Sequence, residues 1–207
     1  LEKKLFYQND DRQFDLKNNI DYRKWFTIVF DKSKPNVYTH SKTRQPLHND
    51  NSWFSDAAEM VFLAFEKQAE VGGETTIYQL DRLLSDLYEH DKNLLELLQN
   101  VELIIRKDST GKYYNKTTVI KEEESIHWNY YRIVKSDNQI KNMCDRFFKF
   151  LQRKEKTDSV EIFRCESSDI LCFNDLKLLH GRLAFSAYNL GDRILHQSMW
   201  HRHKNKF

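Results

Sequence analysis

Short strand-like segments separated by tight turns fill most of the chain from residue 58 to residue 200, and they limit its fold more than any other feature does. Segments rich in β-branched and aromatic residues are typical of strands. The sequence predicts such strands over 36–41, 58–68, 72–80, 101–108, 117–124, 126–134, 160–166, 169–175 and 193–200. A chain of this kind buries its apolar residues by packing sheets against each other or against helices.

A few helices interrupt the strands. Leucines at helical spacing predict two short helices over 81–90 and 91–100, and Asp91 is placed to cap the second of them. A third helix is predicted over 138–151, where apolar residues recur every three or four positions along one face. Many strands with a few helices against one face predict a β-sandwich or jelly roll with flanking helices.

Composition narrows the class of protein. The 207 residues suffice for one domain with a sizeable core. With 33 basic and 31 acidic residues the net charge is +2, so neither nucleic acid nor a membrane surface is an expected partner. No apolar run reaches the ~18–20 residues of a membrane span. Three cysteines without a CxxC pair fit a reducing compartment, which favours a cytoplasmic location. The sequence does not predict the oligomeric state.

The segment "PLHNDNSW" (46–53) contains a histidine and an aspartate two positions apart. In a strand, His48 and Asp50 would point to the same face and converge, although such a pair alone is as compatible with a surface hydrogen bond. A metal needs a third ligand, and the best candidate is His180 in "FNDLKLLHGRLAF" (173–185). Two histidines and one carboxylate leave coordination positions open, as Fe(II) oxygenases require. A structural zinc site would take four protein ligands, usually with cysteine.

Four segments in this order resemble one known family: "PLHNDNSW", "GGETT", "DILCFNDLKLLHGRLAF" and "GDRILHQSMW". They are similar to the taurine dioxygenase-like family of Fe(II)/2-oxoglutarate-dependent oxygenases, which includes γ-butyrobetaine hydroxylase-like and clavaminate synthase-like enzymes. The resemblance runs from about residue 37 to residue 200, and residues 1–36 carry no matching motif. It implies a double-stranded β-helix (jelly roll) with flanking helices, formed by one domain over residues 1–207.

The resemblance also implies an activity. Fe(II) would bind 2-oxoglutarate and O2, and the enzyme would hydroxylate a C–H bond of a small polar metabolite, such as an amino acid or a derivative, with release of succinate and CO2. Enzymes of this kind often act in specialised metabolism. Three alternatives stay open: a protein or peptide side chain as substrate, desaturation or cyclisation instead of hydroxylation, and an inactive binding module that keeps the fold.

Four residues carry the chemistry that the resemblance implies. His48, Asp50 and His180 match the iron ligands of the family. Arg193, 13 residues after His180, matches the arginine that pairs with the distal carboxylate of 2-oxoglutarate. A planar guanidinium suits that role because it donates two parallel hydrogen bonds to one carboxylate. An inactive relative would have no need for all four residues.

Three further residues have roles that the sequence leaves open. Thr75 matches the family hydroxyl that assists the 2-oxoglutarate carboxylate, but a shift of one residue would give that role to Thr76. Arg182, in "HGR", recurs in part of the family. It either reaches the co-substrate or braces the sheet through a carboxylate.

Substrate residues are predicted around the metal ligands. Trp53 and Asn51 follow the first two ligands, and Arg132 offers a cation for a substrate carboxylate. Gln197 stands where the taurine-specific relative has an arginine that grips the sulfonate, so a sulfonate substrate is disfavoured. Asp50 is a carboxylate where halogenating relatives have glycine or alanine, so halogenation is disfavoured as well.

Overall fold

The computed structural model describes residues 6–7, 14–15, 20–21 and 25–202. Within these residues the chain forms sixteen strands and three helices. The strands are β1 (Phe6–Tyr7), β2 (Phe14–Asp15), β3 (Ile20–Asp21), β4 (Phe26–Val29), β5 (Gln45–His48), β6 (Met60–Lys67), β7 (Thr75–Gln79), β8 (Leu103–Arg106), β9 (Tyr114–Thr117), β10 (Ile120–Lys121), β11 (Ser125–Ile126), β12 (Ile133–Val134), β13 (Glu161–Phe163), β14 (Ile170–Asn174), β15 (Leu178–Arg182) and β16 (Ile194–Arg202). The helices are α1 (Leu80–His90), α2 (Lys92–Asn100) and α3 (Asn138–Lys154).

Two antiparallel sheets face each other at the centre of the molecule. Among the described residues, the larger sheet has the order β1-β16-β6-β14, with β4 also paired to β16, and the smaller has the order β13-β7-β15-β5. Val61 and Phe65 of the larger sheet pack with Ile77 and Leu178 of the smaller one in a shared buried cluster. From β5 to β7 and from β13 to β16, successive strands alternate between the two sheets, as they do in a double-stranded β-helix, so the predicted fold class is confirmed.

The helices cover the outer face of the smaller sheet. Because strand side chains alternate, Tyr78 points away from the inter-sheet layer that Ile77 enters, and it packs among buried residues of all three helices. Phe147 of α3 meets Trp128 edge to face at a ring separation of 4.6 Å. Asp91 caps α2 as predicted, with its carboxylate accepting from Leu94 N at 3.1 Å. The flanking helices thus stiffen the sheet that carries the histidines.

Three strand predictions are wrong over most of their length. In 117–124 only Thr117, Ile120 and Lys121 lie in strands, and residues 122–124 form a turn. In the other two, the backbone hydrogen bonds go elsewhere. Residues 36–41 form consecutive turns, in which His40 N and Ser41 N both donate to Val37 O. Residues 127–132 form a loop, because Trp128 exchanges hydrogen bonds with Asn49 instead of with a neighbouring strand. Both irregular segments lie close to the histidines of the site described below.

The described residues include no helix that is both long and apolar enough to cross a bilayer.

Candidate active site

The two histidines of the predicted metal site are direct neighbours across two strands. His48 ends β5 and pairs with His180 of β15. Leu47 and Leu179, one position before each, belong to the cluster beneath the helices, so both imidazoles face the opposite way, into the space between the sheets. Asp50 lies beyond the end of β5, in a turn, and not on a continuing strand as predicted. The turn still brings its carboxylate to the histidines.

The three side chains present their ligand atoms to one point. Nε2 of His48 lies 3.5 Å from Asp50 Oδ1, and Nε2 of His180 lies 3.4 Å from Asp50 Oδ2. Adjacent ligands of a metal at ~2.1 Å are separated by about 3 Å, so only a slight contraction would close the site on an ion. Nδ1 of His48 is 2.9 Å from Pro46 O, and Nδ1 of His180 is 2.9 Å from Asp175 Oδ1. Since these acceptors take the Nδ1 protons, Nε2 is the nitrogen that each histidine presents to the cluster, and the residues fit a divalent metal.

The charges of the cluster also call for a cation. Burial lowers the pKa of His180, but Asp175 and Asp50 outweigh it and raise that pKa to about 10. Burial raises the pKa of Asp50, but the two histidines outweigh it and hold the pKa well below its usual range. Protonated His180 therefore supplies a positive charge to the metal-free cluster. A divalent metal that displaced its Nε2 proton would supply this charge instead.

Two glutamine amides contact the same ligand atoms. Gln45 Nε2 lies 3.0 Å from His48 Nε2, and Gln197 Nε2 donates to Asp50 Oδ2 at 2.6 Å. The sequence predicts Gln197 near the substrate, and the structure places its amide on Asp50, a predicted metal ligand. Gln45 escaped prediction because nothing in the sequence distinguishes a glutamine at the start of a short strand.

Arg193 lies deep in the layer between the sheets. Its Nε donates to Gln68 Oε1 at 3.1 Å, and its guanidinium lies 5.6 and 5.5 Å from the rings of Phe65 and Phe185. Burial, together with the charge of Arg182, lowers the pKa of Arg193 to about 9. The partners that the described residues give this cation are neutral, which leaves its charge for an anion.

Arg182 braces a loop and also lines a small cavity beside Arg193. Its Nη2 donates to the carbonyl oxygens of Tyr38, Ser41 and Thr43, at 3.2, 2.9 and 2.7 Å. These bonds hold the segment that was wrongly predicted as a strand, so Arg182 braces a loop through carbonyls and not through a carboxylate. Its side chain also lines a small cavity of about 60 Å³ together with Arg193. Burial lowers the pKa of Arg182 to about 10.

Strand register distinguishes the two threonines. Thr75 lies opposite Arg182, and Thr76 opposite Gly181, in the pairing of β7 with β15. Thr75 lines the small cavity, which also takes in Arg193, Asp50 and His180. Thr76 points to the other face, where its Oγ1 lies 2.7 Å from the position that a Cβ on Gly181 would occupy. The structure therefore brings Thr75 to the metal ligands and Arg193, and turns Thr76 away.

A larger cavity of about 820 Å³ opens on the other side of His48 and Asp50. Trp53 and Arg132 line it, with the guanidinium 5.6 Å from the indole ring. Its other lining side chains include Tyr38, Tyr131, Arg44 and Asn129. Asn51 is not among its lining residues, because it adopts a positive φ of 54° and its amide donates to Met199 Sδ at 2.8 Å.

The two glycines of "GGET" bring the turn before β7 against Arg193. Both have positive φ angles, 78° at Gly72 and 81° at Gly73, which glycine adopts without strain. A Cβ on Gly73 would lie 3.3 Å from Arg193 Nε and 3.0 Å from Gln68 Oε1. A Cβ on Gly72 would lie 2.2 Å from Ala184 O, a backbone atom that cannot swing aside. The motif thus serves close packing around the arginine.

Gly72→Ala is expected to destabilise the fold by about 3 kcal/mol or more, from backbone strain of about 1–3 kcal/mol plus the overlap with Ala184. Gly111→Ala is a matched control, because Gly111 has a φ of 71° and a Cβ there meets nothing within 4 Å. Urea denaturation of both variants measures the difference in the free energy of unfolding. Equal losses of unfolding free energy in the two variants would show that the close approach of Gly72 to Ala184 does not contribute to stability.

Two histidines and one carboxylate, set between the sheets of a double-stranded β-helix, form the kind of site that is typical of non-heme iron oxygenases. The chain belongs to the taurine catabolism dioxygenase TauD, TfdA family, whose sequence model matches residues 11–199. This confirms the resemblance on which the site residues were assigned.

Solved structures agree with the fold. Asparagine oxygenase, in complex with Fe(II), 2S,3S-3-hydroxyasparagine and succinate, is 13% identical with a TM-score of 0.70, and the match covers 84% of this chain and 55% of that one. The non-heme iron oxygenase OrfP, in complex with Fe and alpha-ketoglutaric acid, is 15% identical with a TM-score of 0.67, over 90% of this chain and 58% of that one. This chain therefore spans less than two thirds of either relative. The comparison with curated proteins found no match.

Proposed function

We propose that this protein is an Fe(II)- and 2-oxoglutarate-dependent dioxygenase that hydroxylates a small amino-acid-like metabolite. One observation carries the proposal: two buried arginines with neutral partners line the same small cavity as Asp50 and His180 of the histidine–aspartate cluster. Burying an uncompensated charge is costly, so a site that keeps two such cations next to a metal site is built for an anion. A dicarboxylate such as 2-oxoglutarate would bind the metal at one end and an arginine at the other.

Each side chain has a task in this reaction. His48, Asp50 and His180 would hold Fe(II), which when bound supplies the oxidising chemistry with 2-oxoglutarate and O2. Arg193 binds the distal carboxylate of 2-oxoglutarate, and Thr75 adds a hydroxyl donor on the same side. Phe65 and Phe185 exclude water from this ion pair, which strengthens it.

The substrate would enter the larger cavity, on the other side of His48 and Asp50. Arg132 is held over Trp53 with its Nη1 donating to Lys107 O, so its guanidinium is already positioned for a substrate carboxylate. Tyr38 and Tyr131, with ring centres 5.6 Å apart, add an aromatic wall. The solved relatives support this substrate class, because asparagine oxygenase was solved with a hydroxyasparagine and OrfP with a (3S)-hydroxy-L-Arg. The cytoplasmic location and single-domain organisation stay predictions.

Anaerobic titration tests the proposed function. Fe(II) and 2-oxoglutarate added together are expected to give a weak visible charge-transfer band, and neither alone should give it. On admission of O2, succinate should form. A protein that shows no band and no metal binding would refute the oxygenase proposal.

Succinate release over a panel of free amino acids then tests the substrate class. Stimulation by one or more of them, with a product 16 mass units heavier, is the expected result. A product two mass units lighter would indicate desaturation or cyclisation, and stimulation by peptides alone would transfer the proposal to protein side chains.

A further inference from the structure

Asp175 is a buried aspartate, 1% exposed, in the turn between β14 and β15, five positions before His180. Its two carboxylate oxygens serve two different segments of the metal site. Oδ1 accepts from His180 Nδ1 at 2.9 Å, and Oδ2 accepts from the backbone N–H of Asp50 at 2.8 Å. One carboxylate therefore links two of the three ligands, which lie 130 residues apart in the sequence.

The backbone that carries this carboxylate is itself fixed. Asp175 N donates to Glu59 O at 2.7 Å, and the amide of Asn49 donates to the carbonyl oxygens of Asp175 and Leu178. The side-chain oxygen of Asn49 accepts in turn from Trp128 N at 2.8 Å. Asn49 thus points away from the metal site, as its place between two ligands requires, and ties the end of β5 to the turn that holds Asp175.

We propose that Asp175 is the positioning residue of the metal site, and this inference rests on the proposed function. By accepting from Nδ1 it holds a proton at that nitrogen, leaves Nε2 as the nitrogen for the metal, and fixes the plane of the ring. By accepting from Asp50 N it fixes the turn that swings the Asp50 carboxylate back to the histidines after β5 has ended. The site needs both bonds, because Asp50 is not held by strand pairing.

Co(II) binding tests this role without turnover, because the visible absorption of Co(II) reports its coordination. Asp175→Asn offers one oxygen acceptor and can satisfy only one of the two donors, whereas Asp175→Ala satisfies neither. We expect the affinity for Co(II) to fall about 10–100-fold in the asparagine variant and further in the alanine variant, with an altered Co(II) spectrum.

Asp145→Asn is the matched control. Asp145 is a partly buried aspartate on α3 that accepts from Tyr130 Oη at 2.7 Å, and it lies outside the groups of described side chains that could hold a metal. Its replacement should lower the melting temperature and leave the Co(II) affinity unchanged. A loss of affinity in both variants would mean that destabilisation alone weakens the site, and would overturn the proposal.

A second measurement uses the original protein, so its result does not depend on whether the variants fold. In the Zn(II)-loaded protein, long-range ¹H–¹⁵N spectra should show His180 protonated at Nδ1, and a proton at Nε2 would overturn the proposal. Equal Co(II) affinity in the original protein and both Asp175 variants would do the same. Failure of the original protein to bind Co(II) at all would instead refute the proposed function.

Discussion

His48→Ala is expected to lose metal binding by a factor on the order of 100 or more, and with it all detectable succinate formation. Loss of a group that only orients a ligand typically costs 10–100-fold in metal affinity, and loss of a ligand itself should cost at least as much. His48 is the cleanest ligand to remove, since its Nδ1 contacts only a backbone carbonyl. Removing His180 would in addition strand the buried Asp175.

Anaerobic titration with Fe(II), followed by quenching of tryptophan fluorescence, measures the affinity, because Trp53 lines the same cavity as His48 and Asp50. His196→Ala is the matched control. His196 lies on β16 between Leu195 and Gln197, which line the small cavity, so its imidazole faces the other side of the sheet and contacts Glu66 at 2.7 Å. This variant should bind Fe(II) normally, and equal affinity in both variants would remove His48 from the site.

The sequence predicts three candidate metal ligands that the structure brings together, because their signal is local. His48 and Asp50 lie two positions apart, and His180 and Arg193 follow with the spacing of a known family. The structure corrects the reason for their convergence, since β5 ends at His48 and a turn, held by Asp175, returns Asp50 to the histidines. The sequence therefore predicts the candidate ligands but not the contact with Asp175 that aligns them.

The residues around the ligands escaped prediction because their roles depend on contacts between distant segments. Asp175 and Gln68 look like ordinary polar residues at strand ends, and only the fold brings Asp175 to Asp50 and Gln68 to Arg193. Arg132 was predicted from an alternating pattern that favoured a strand over 126–134, and it reaches the larger cavity from a loop instead. The spacing of apolar residues predicts which face of a strand is buried. It does not predict where strand pairing ends because the backbone hydrogen-bonds to a side chain instead.

Arg193→Gln is expected to raise the KM for 2-oxoglutarate about 100-fold, because truncating one partner of a buried, hydrogen-bonded charge pair costs about 2–5 kcal/mol. Arg193→Lys keeps the charge but loses the planar fork and should lie between the two. In the absence of 2-oxoglutarate the glutamine variant should be no less stable than the original protein, since it removes a buried cation whose described partners are neutral.

Thermal unfolding with Fe(II) present separates binding from folding, because a ligand that binds only the native state raises the melting temperature. Millimolar 2-oxoglutarate should stabilise the original protein and leave the glutamine variant almost unchanged. 2-Oxopentanoate, which keeps the 2-oxo acid and lacks the distal carboxylate, should stabilise both proteins equally and weakly. Because this control removes the same ion pair from the ligand side, the two deletions should not add. Full stabilisation of the glutamine variant by 2-oxoglutarate would show that Arg193 does not bind the distal carboxylate, and would leave Arg182 as the cation of that cavity.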